Sequence, residues 1–206
     1  MKTQATSGTG AAADAGRRPV RLVALSGGLG YPSSTRTLTD LLTSAVADRL
    51  AGDGQEVLTT TVEVRDVAQD AVAETLLGLR SEPLAAALAE VEDADALIVA
   101  SPVFRGSYAG VFKAVVDLLD PLAMRGKPVL LAATSGSARH TLMADHALRP
   151  LMSYFGTLTV PTAVVATPEE FAFGTRPVDG LRVRIDRAAD ELADLTRVRV
   201  RARSGA

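Results

Sequence analysis

Leu22–Arg36 reads LVALSGGLGYPSSTR. An apolar run, Leu22 to Leu25, stops at Ser26 and Gly27, a loop rich in glycine and hydroxyl groups follows, and helical spacing begins near Thr35. Strand, polar loop and helix start together make an anion cradle. Glycines let the backbone turn its N–H groups inward, and the first turn of the helix has N–H groups without intrahelical partners and a partial positive charge. Ser33, Ser34 and Thr35 add hydroxyl donors, and Arg36 adds a permanent cation. The loop therefore reads as a seat for a phosphate monoester. Gly28-Leu29-Gly30 followed by Ser33 falls one glycine short of a dinucleotide fingerprint, and no clear acidic residue follows about 20 positions on.

Apolar runs and helical patterns alternate outward from this loop. Leu38, Leu41, Leu42, Ala45, Val46 and Leu50 recur at helical spacing, and Gly52-Asp53-Gly54 ends that helix. Val57–Val64 is a second strand, whose charged end at Glu63–Asp66 predicts an edge position or an exposed strand end. Helical stretches are expected over Ala68–Leu79 and Pro83–Glu92. The most apolar short run, ALIVA within Asp95–Ser101, predicts a buried central strand that ends at Pro102. A helix over Tyr108–Leu119, a strand over Val129–Ala133 and a helix over His140–Phe155 follow. The final strand, Leu158–Val165, contains Pro161, which cannot donate to a ladder, so it belongs at a sheet edge or carries a bulge. A last helix runs from Asp179 to about Val198.

Strands alternating with helices imply a parallel sheet with helices on both faces. Five strands fit a flavodoxin-like doubly wound α/β fold of order 2-1-3-4-5, with strands two and five at the edges. Ligands of such sheets bind beyond the carboxyl ends of strands one, three and four. Three loops converge there: Ser26–Arg36, Ser101–Tyr108 (SPVFRGSY) and Thr134–His140 (TSGSARH). All are small and polar with an occasional aromatic, which suits a flat, polar-edged ring carrying a phosphate tail.

Composition bounds the rest. The chain has 206 residues, 47% hydrophobic and 22% charged, with a formal net charge of -2. It predicts one domain over residues 19–198, between a disordered tail at 1–18 and a flexible basic tail at 199–206. Near-neutral charge argues against a chain built to bind nucleic acid. There is no cysteine, so thiol nucleophiles and disulfides are excluded, and two histidines make no persuasive metal site. No apolar run approaches the roughly 18 residues that span a membrane. Met1–Arg18 lacks the apolar centre of a secretory signal, and a cytoplasmic location is expected by default. Neither a GxxxxGK[ST] loop nor a G-x-S-x-G elbow occurs, which argues against nucleotide hydrolysis and serine-hydrolase chemistry.

The chain resembles the NADPH-dependent FMN reductase family, the flavodoxin-like reductases that include the flavin suppliers of two-component monooxygenases. The resemblance rests on Pro32–Thr35, on SPVFRGSYAGVFKAVVDLL at Ser101–Leu119, on GKPVLLAATSGS at Gly126–Ser137, and on His140 with DHALRPLMSYFG at Asp145–Gly156. Many members carry Gly-Ser-x-Arg in the first loop, where this chain has Gly27, Gly28, Leu29 and Gly30, so Arg36 is expected to replace the missing charge.

In this family a nicotinamide passes hydride to flavin N5, and the protein supplies binding, orientation and tuning. The resemblance thus implies an NAD(P)H:FMN oxidoreductase with FMN and NADPH (or NADH), no acid–base residue and no metal. It places the 5′-phosphate at Ser33, Ser34, Thr35 and Arg36, with Ser26 completing that end of the site. The ring and ribityl chain fall to Pro102, Val103, Phe104, Arg105, Gly106 and Ser107, and the ring edge to Thr134, Ser135, Gly136 and Ser137. Arg105 or Arg139 would meet a 2′-phosphate. A flavin-dependent monooxygenase is the implied partner, and a homodimer or homotetramer the implied assembly. Two alternatives stay open: a flavodoxin-like electron carrier that holds FMN, and a quinone or azo reductase that retains it.

Overall fold

The computed structural model describes residues 18–52, 54–172 and 174–204. Positions 1–17 of the expected N-terminal tail and 205–206 of the C-terminal tail lie outside the described residues. In chain order the first elements are β1 (Val20–Ser26), α1 (Ser34–Ala51), β2 (Val57–Glu63), α2 (Val64–Leu77) and α3 (Glu82–Glu92). Then come β3 (Ala96–Phe104), β4 (Ser107–Tyr108), α4 (Gly110–Val116), α5 (Pro121–Met124) and β5 (Pro128–Thr134). The last are α6 (Arg149–Tyr154), β6 (Leu158–Thr159), β7 (Val164–Ala166), β8 (Phe171–Ala172), β9 (Arg176–Pro177) and α7 (Asp179–Ser204).

The main sheet runs β2-β1-β3-β5, all parallel, and β6 and β7 both continue along β5. Taken as one interrupted strand, β6 and β7 complete the order 2-1-3-4-5 of a flavodoxin-like fold. The interruption falls at Pro161. Between the pairs Val129↔Thr159 and Ala132↔Val164 the fifth strand advances five residues while β5 advances three, so it bulges by two. The freed backbone groups find partners. Arg149 donates to Val160 O at 2.9 Å and Pro161 O at 3.0 Å, and Glu191 accepts the Thr162 N–H at 2.7 Å.

Strand alternation divides the core. Leu22, Ala24 and Ile98 face α1 and α7, whose Leu38, Leu42, Leu181 and Leu192 are fully buried. Val23, Leu25 and Val99 face α2, α3 and α4 through Val67, Leu88 and Phe112. Each such leucine removed from water contributes about 1.5–3 kcal/mol, so both helical layers are held by the period-2 pattern of the strands beneath them.

Three segments depart from expectation. β3 does not stop at Pro102. It continues to Phe104, turns through Arg105 (φ 52) and Gly106 (φ 81), and returns as β4, which pairs antiparallel with it. The ladder to β1 ends at Ser26↔Ala100, so the missing proline N–H falls on a stretch that β1 no longer flanks. The helix expected from His140 to Phe155 is broken into a 3₁₀ turn (Ala138–His140), a π-helical turn (Ala144–Leu148) and α6. Pro150 has no N–H for the carbonyl four residues back, and a widened turn immediately before it absorbs the misfit. The charged end of β2 does belong to an edge strand, as expected; α2 follows it without a loop, so that Glu63 is buried while Asp66 is exposed. Finally, α7 runs past Val198 to Ser204. Its Arg203 lies 3.6 Å from Asp95, which also takes a two-pronged ion pair from Arg18, so Arg18 belongs to the folded part.

Candidate functional site

Every strand that feeds the site ends at the same edge of the sheet. Gly27 follows β1, and its N–H donates to Ala100 O of β3 at 2.7 Å. A Cβ at Gly27 would sit 3.0 Å from that oxygen and 3.1 Å from the Phe112 ring, so the loop is pressed between β3 and α4. A Cβ at Gly28 would stand 2.1 Å from Ser33 Oγ. The two glycines are what allow the loop to fold back onto its own helix. Ser33 caps α1, its Oγ accepting the Arg36 N–H at 3.2 Å, and the first turn contains no acidic residue. The positive end of α1 is therefore not answered by a local carboxylate in that turn.

Thr35 Oγ1 and Thr134 Oγ1 share a hydrogen bond of 2.6 Å, and both threonines are buried. This bond joins the first and third loops across the point where the strand order reverses. A Thr134→Val substitution would leave the Thr35 hydroxyl buried without its partner. It is expected to cost about 1–3 kcal/mol in chemical denaturation, with a parallel loss of flavin affinity in the same protein. Ser26, at the end of β1, is fully buried, and its Oγ has no hydrogen-bond partner among the described residues.

The cleft has two lobes. The narrower, of about 210 Å³, is lined by Ser34 of the first loop, Pro102–Phe104 of the second and Thr134–Gly136 of the third. Thr167, Pro168 and Phe171 close its far side. The wider lobe, of about 480 Å³, lies between the Arg105–Gly106 turn and Ser135–Ser137, with His140 at its rim. Val103, Ser135 and Gly136 belong to both lobes, which therefore adjoin. Phe104 is 48% exposed, an apolar face left open on the β3–β4 hairpin. Ser135 Oγ donates to Ser137 O at 2.8 Å, which tightens the third turn.

Of the residues singled out in the sequence, Ser34, Pro102–Gly106 and Thr134–Ser137 line these lobes. Ser33 and Thr35 stand behind them as cap and bridge, Ser26 lies beneath, and Ser107 is half-buried in β4. Arg36 is placed differently from a free phosphate ligand. Its Nη1 donates to Glu63 Oε1 at 2.7 Å and its Nε to Asp40 Oδ1 at 2.6 Å. Those two bonds, the one to Glu63 above all, raise its pKa further above the usual arginine range. Arg139 is exposed on the short turn after the third loop, and His146 on the π-helical turn.

Sequence reasoning missed the wall after β7. Thr167 and Glu170 form a reciprocal capping box over Pro168–Glu170, and Arg184 of α7 holds Glu170 at 2.6 Å. The signal was present as Thr167-Pro-Glu-Glu170, a hydroxyl followed three residues later by glutamate, beyond the carboxyl end of the fifth strand. Glu63 and Arg65 were missed as well. Arg65 donates to Gly30 O at 3.0 Å and lies over the Tyr31 ring at 5.7 Å, so it braces the outer half of the first loop.

The donor set fits a flavin mononucleotide. It offers a tight glycine–hydroxyl cradle at a helix start, a buried hydroxyl without partner beneath it, and a cleft walled by backbone, hydroxyls and a few apolar faces. Comparison with known proteins agrees. Residues 20–172 match the family model described as NADPH-dependent FMN reductase. The chain is 42% identical over 178 residues to the NADH-dependent FMN reductase SfnF of Pseudomonas fluorescens, covering 86% of this chain and 92% of that one. It is 41% identical over 177 residues to the FMN reductase (NADPH) of Pseudomonas aeruginosa, with the same two coverages, 86% and 92%. An oxidoreductase from Corynebacterium diphtheriae superposes with a TM-score of 0.80 at 38% identity, over 86% of this chain and 97% of that structure. The chain therefore belongs to the NADPH-dependent FMN reductase family.

Proposed function

We propose that the cleft seats FMN with its phosphate at the start of α1 and its ring against the β3–β4 hairpin and the Thr134–Ser137 turn. The activity class is that of the family, an NAD(P)H-dependent FMN oxidoreductase. Bound FMN supplies the ring that accepts hydride from the nicotinamide. The chain's own residues bind and orient. Ser33 and Ser34 offer hydroxyls to the phosphate together with the first-turn N–H groups, Thr35 braces the loop through its bond to Thr134, Ser26 supports them from below, and Arg36 stands beside the cradle paired with Glu63 and Asp40. Pro102–Ser107 frame the ring and ribityl chain, with Phe104 covering one side. Thr134–Ser137 approach the polar ring edge. The wider lobe leaves room for the nicotinamide nucleotide, and Arg105, which lines it, and Arg139, exposed one residue before His140, suit a phosphate by charge. No side chain is assigned an acid–base role.

Reduced FMN released from this cleft would feed a flavin-dependent monooxygenase. A homodimer or homotetramer is supported by exposed apolar side chains, among them Leu76 of α2 and Tyr154 of α6. A cytoplasmic site of action accords with the reductant.

The observation that carries the reading is the Thr35–Thr134 hydroxyl bond, which draws the phosphate loop and the ring-edge loop into one site at the switch point. The test is steady-state oxidation of NADH and NADPH with FMN, with riboflavin and without added flavin. Turnover that depends on added FMN, by protein purified colourless, is the expected result. No pyridine-nucleotide oxidation under any flavin condition would overturn it. Yellow protein that reduces quinones without added flavin would favour an FMN-retaining quinone or azo reductase. Yellow protein that oxidises no nicotinamide would favour an electron carrier.

A further inference from the structure

Glu63 closes β2 directly opposite Ser26 in the β1–β2 register, beside the first loop. Its side chain is 7% exposed. Oε1 accepts from Arg36 at 2.7 Å and lies 3.6 Å from Arg65 Nη2. Oε2 is buried and has no hydrogen-bond partner among the described residues. A carboxylate oxygen kept buried without a donor costs stability, more than a neutral group would. Its place beside an anion cradle makes the cost worse, because it adds negative charge where a phosphate is to bind.

The surrounding charges point the same way. The two cations that flank the loop, Arg36 and Arg65, meet three carboxylates: Asp40 at 2.6 Å from Arg36, Asp66 at 3.8 Å from Arg65, and Glu63 between them. Asp40 sits one turn further along α1, and the bond from Arg36 Nε to it, with that from Nη1 to Glu63, commits the guanidinium to carboxylates on two sides. An arginine free at that turn would give a phosphate dianion charge-assisted, two-pronged bonds, roughly twice as strong as those from hydroxyls and amides. Held as it is, it does not.

We propose that Glu63, with Asp40 in support, sets flavin affinity by holding Arg36 back, so that the phosphate is bound through neutral donors and FMN stays an exchangeable substrate. This rests on the FMN-reductase reading of the cleft. A reductase that hands its product on must let reduced FMN go, and a cradle without a free cation releases a phosphate more readily. A flavin without the phosphate does not feel this control.

The test is equilibrium titration by quenching of flavin fluorescence, with FMN and with riboflavin, for wild type, Glu63→Gln and Asp40→Asn. Glu63→Gln keeps the shape and removes the charge. Its Kd for FMN is expected to fall about tenfold, while its Kd for riboflavin stays within about twofold of wild type. Asp40→Asn should shift FMN in the same direction by about threefold. Asp40 is half-exposed, so this variant decides the matter should Glu63→Gln fail to fold. An FMN Kd that is unchanged or higher in both variants overturns the proposal. So does an equal shift for both flavins, because control through the phosphate predicts a difference between them. Wild type that binds both flavins while the variants do not differ removes this proposal and leaves the flavin site standing. Wild type that binds neither flavin removes both.

Discussion

A Gly28→Ala variant is expected to bind FMN about thirtyfold more weakly than wild type, close to 2 kcal/mol, yet to remain folded. The new Cβ would meet Ser33 Oγ at 2.1 Å and Thr35 Cβ at 3.1 Å. The serine can relieve the contact only by turning its hydroxyl away. It then gives up the bond from Arg36 N that caps α1, at about 1 kcal/mol of stability. For a chain of this size that lowers Tm by about 2–4 °C. The larger effect is on binding, because the displaced hydroxyl belongs to the phosphate cradle and the loop must shift to hold it. Titration with FMN and riboflavin separates the two consequences. Riboflavin, which has no phosphate, should lose much less. Equal losses for both flavins, or unchanged FMN affinity, would refute the assignment of Gly28 and Ser33 to the phosphate end.

The second large effect is on stability against pH. Lys127, at the entry to β5, is 1% exposed, and its Nζ donates to Val91 O at 3.0 Å and Glu92 O at 2.6 Å, which closes the carboxyl end of α3. Burial pushes its pKa down to about 8, helped by Arg199 and Arg203 and opposed by Asp95 and Asp93. Below pH 8 the lysine is charged in both the folded and unfolded chain, and its desolvation penalty is carried in full. Between about 8 and the ordinary lysine value of 10.5 the unfolded chain holds a proton that the folded chain has released, so folding stability rises with pH. Over the whole window the lysine contributes an increase of about 3 kcal/mol. Urea unfolding of wild type and Lys127→Met from pH 7 to 10.5 measures it as the difference between the two curves. If wild type does not gain on the variant as pH rises through 8 to 10, the lysine is not held as described.

Lys127 also shows a limit of reading along the chain. Lys127-Pro128 reads as an ordinary polar opening to a strand, and nothing near it in sequence reveals that Val91 and Glu92 will close over it. The same holds for Glu63. A charged residue at the end of a threonine-rich strand is normally solvated, and its burial depends on Arg36 and Arg65 arriving from the elements on either side. The site was more legible than this because two of its devices are local. A glycine–hydroxyl loop between strand and helix is encoded within about fifteen residues, and Thr134–Ser137 reads as a polar turn wherever it is placed. The hairpin at Arg105–Gly106 was half legible. Gly106 signals a turn, but strand pairing beyond Pro102 is a non-local choice, made where β1 has already ended.

The residues alone were enough for the parallel order of the sheet, the loops that face its carboxyl edge, and the placing of the Pro161 strand either at an edge or with a bulge. All three follow from short-range rules: the alternation of apolar periods, the conformational freedom of glycine, and the missing N–H of proline. How charge is distributed around the cradle depends instead on contacts between distant elements. Arg36 reads along the chain as a cation beside a phosphate, but whether it is free depends on Glu63, twenty-seven residues away. Ion pairing between distant residues is governed by burial and by the distance between groups in space, neither of which a linear pattern contains.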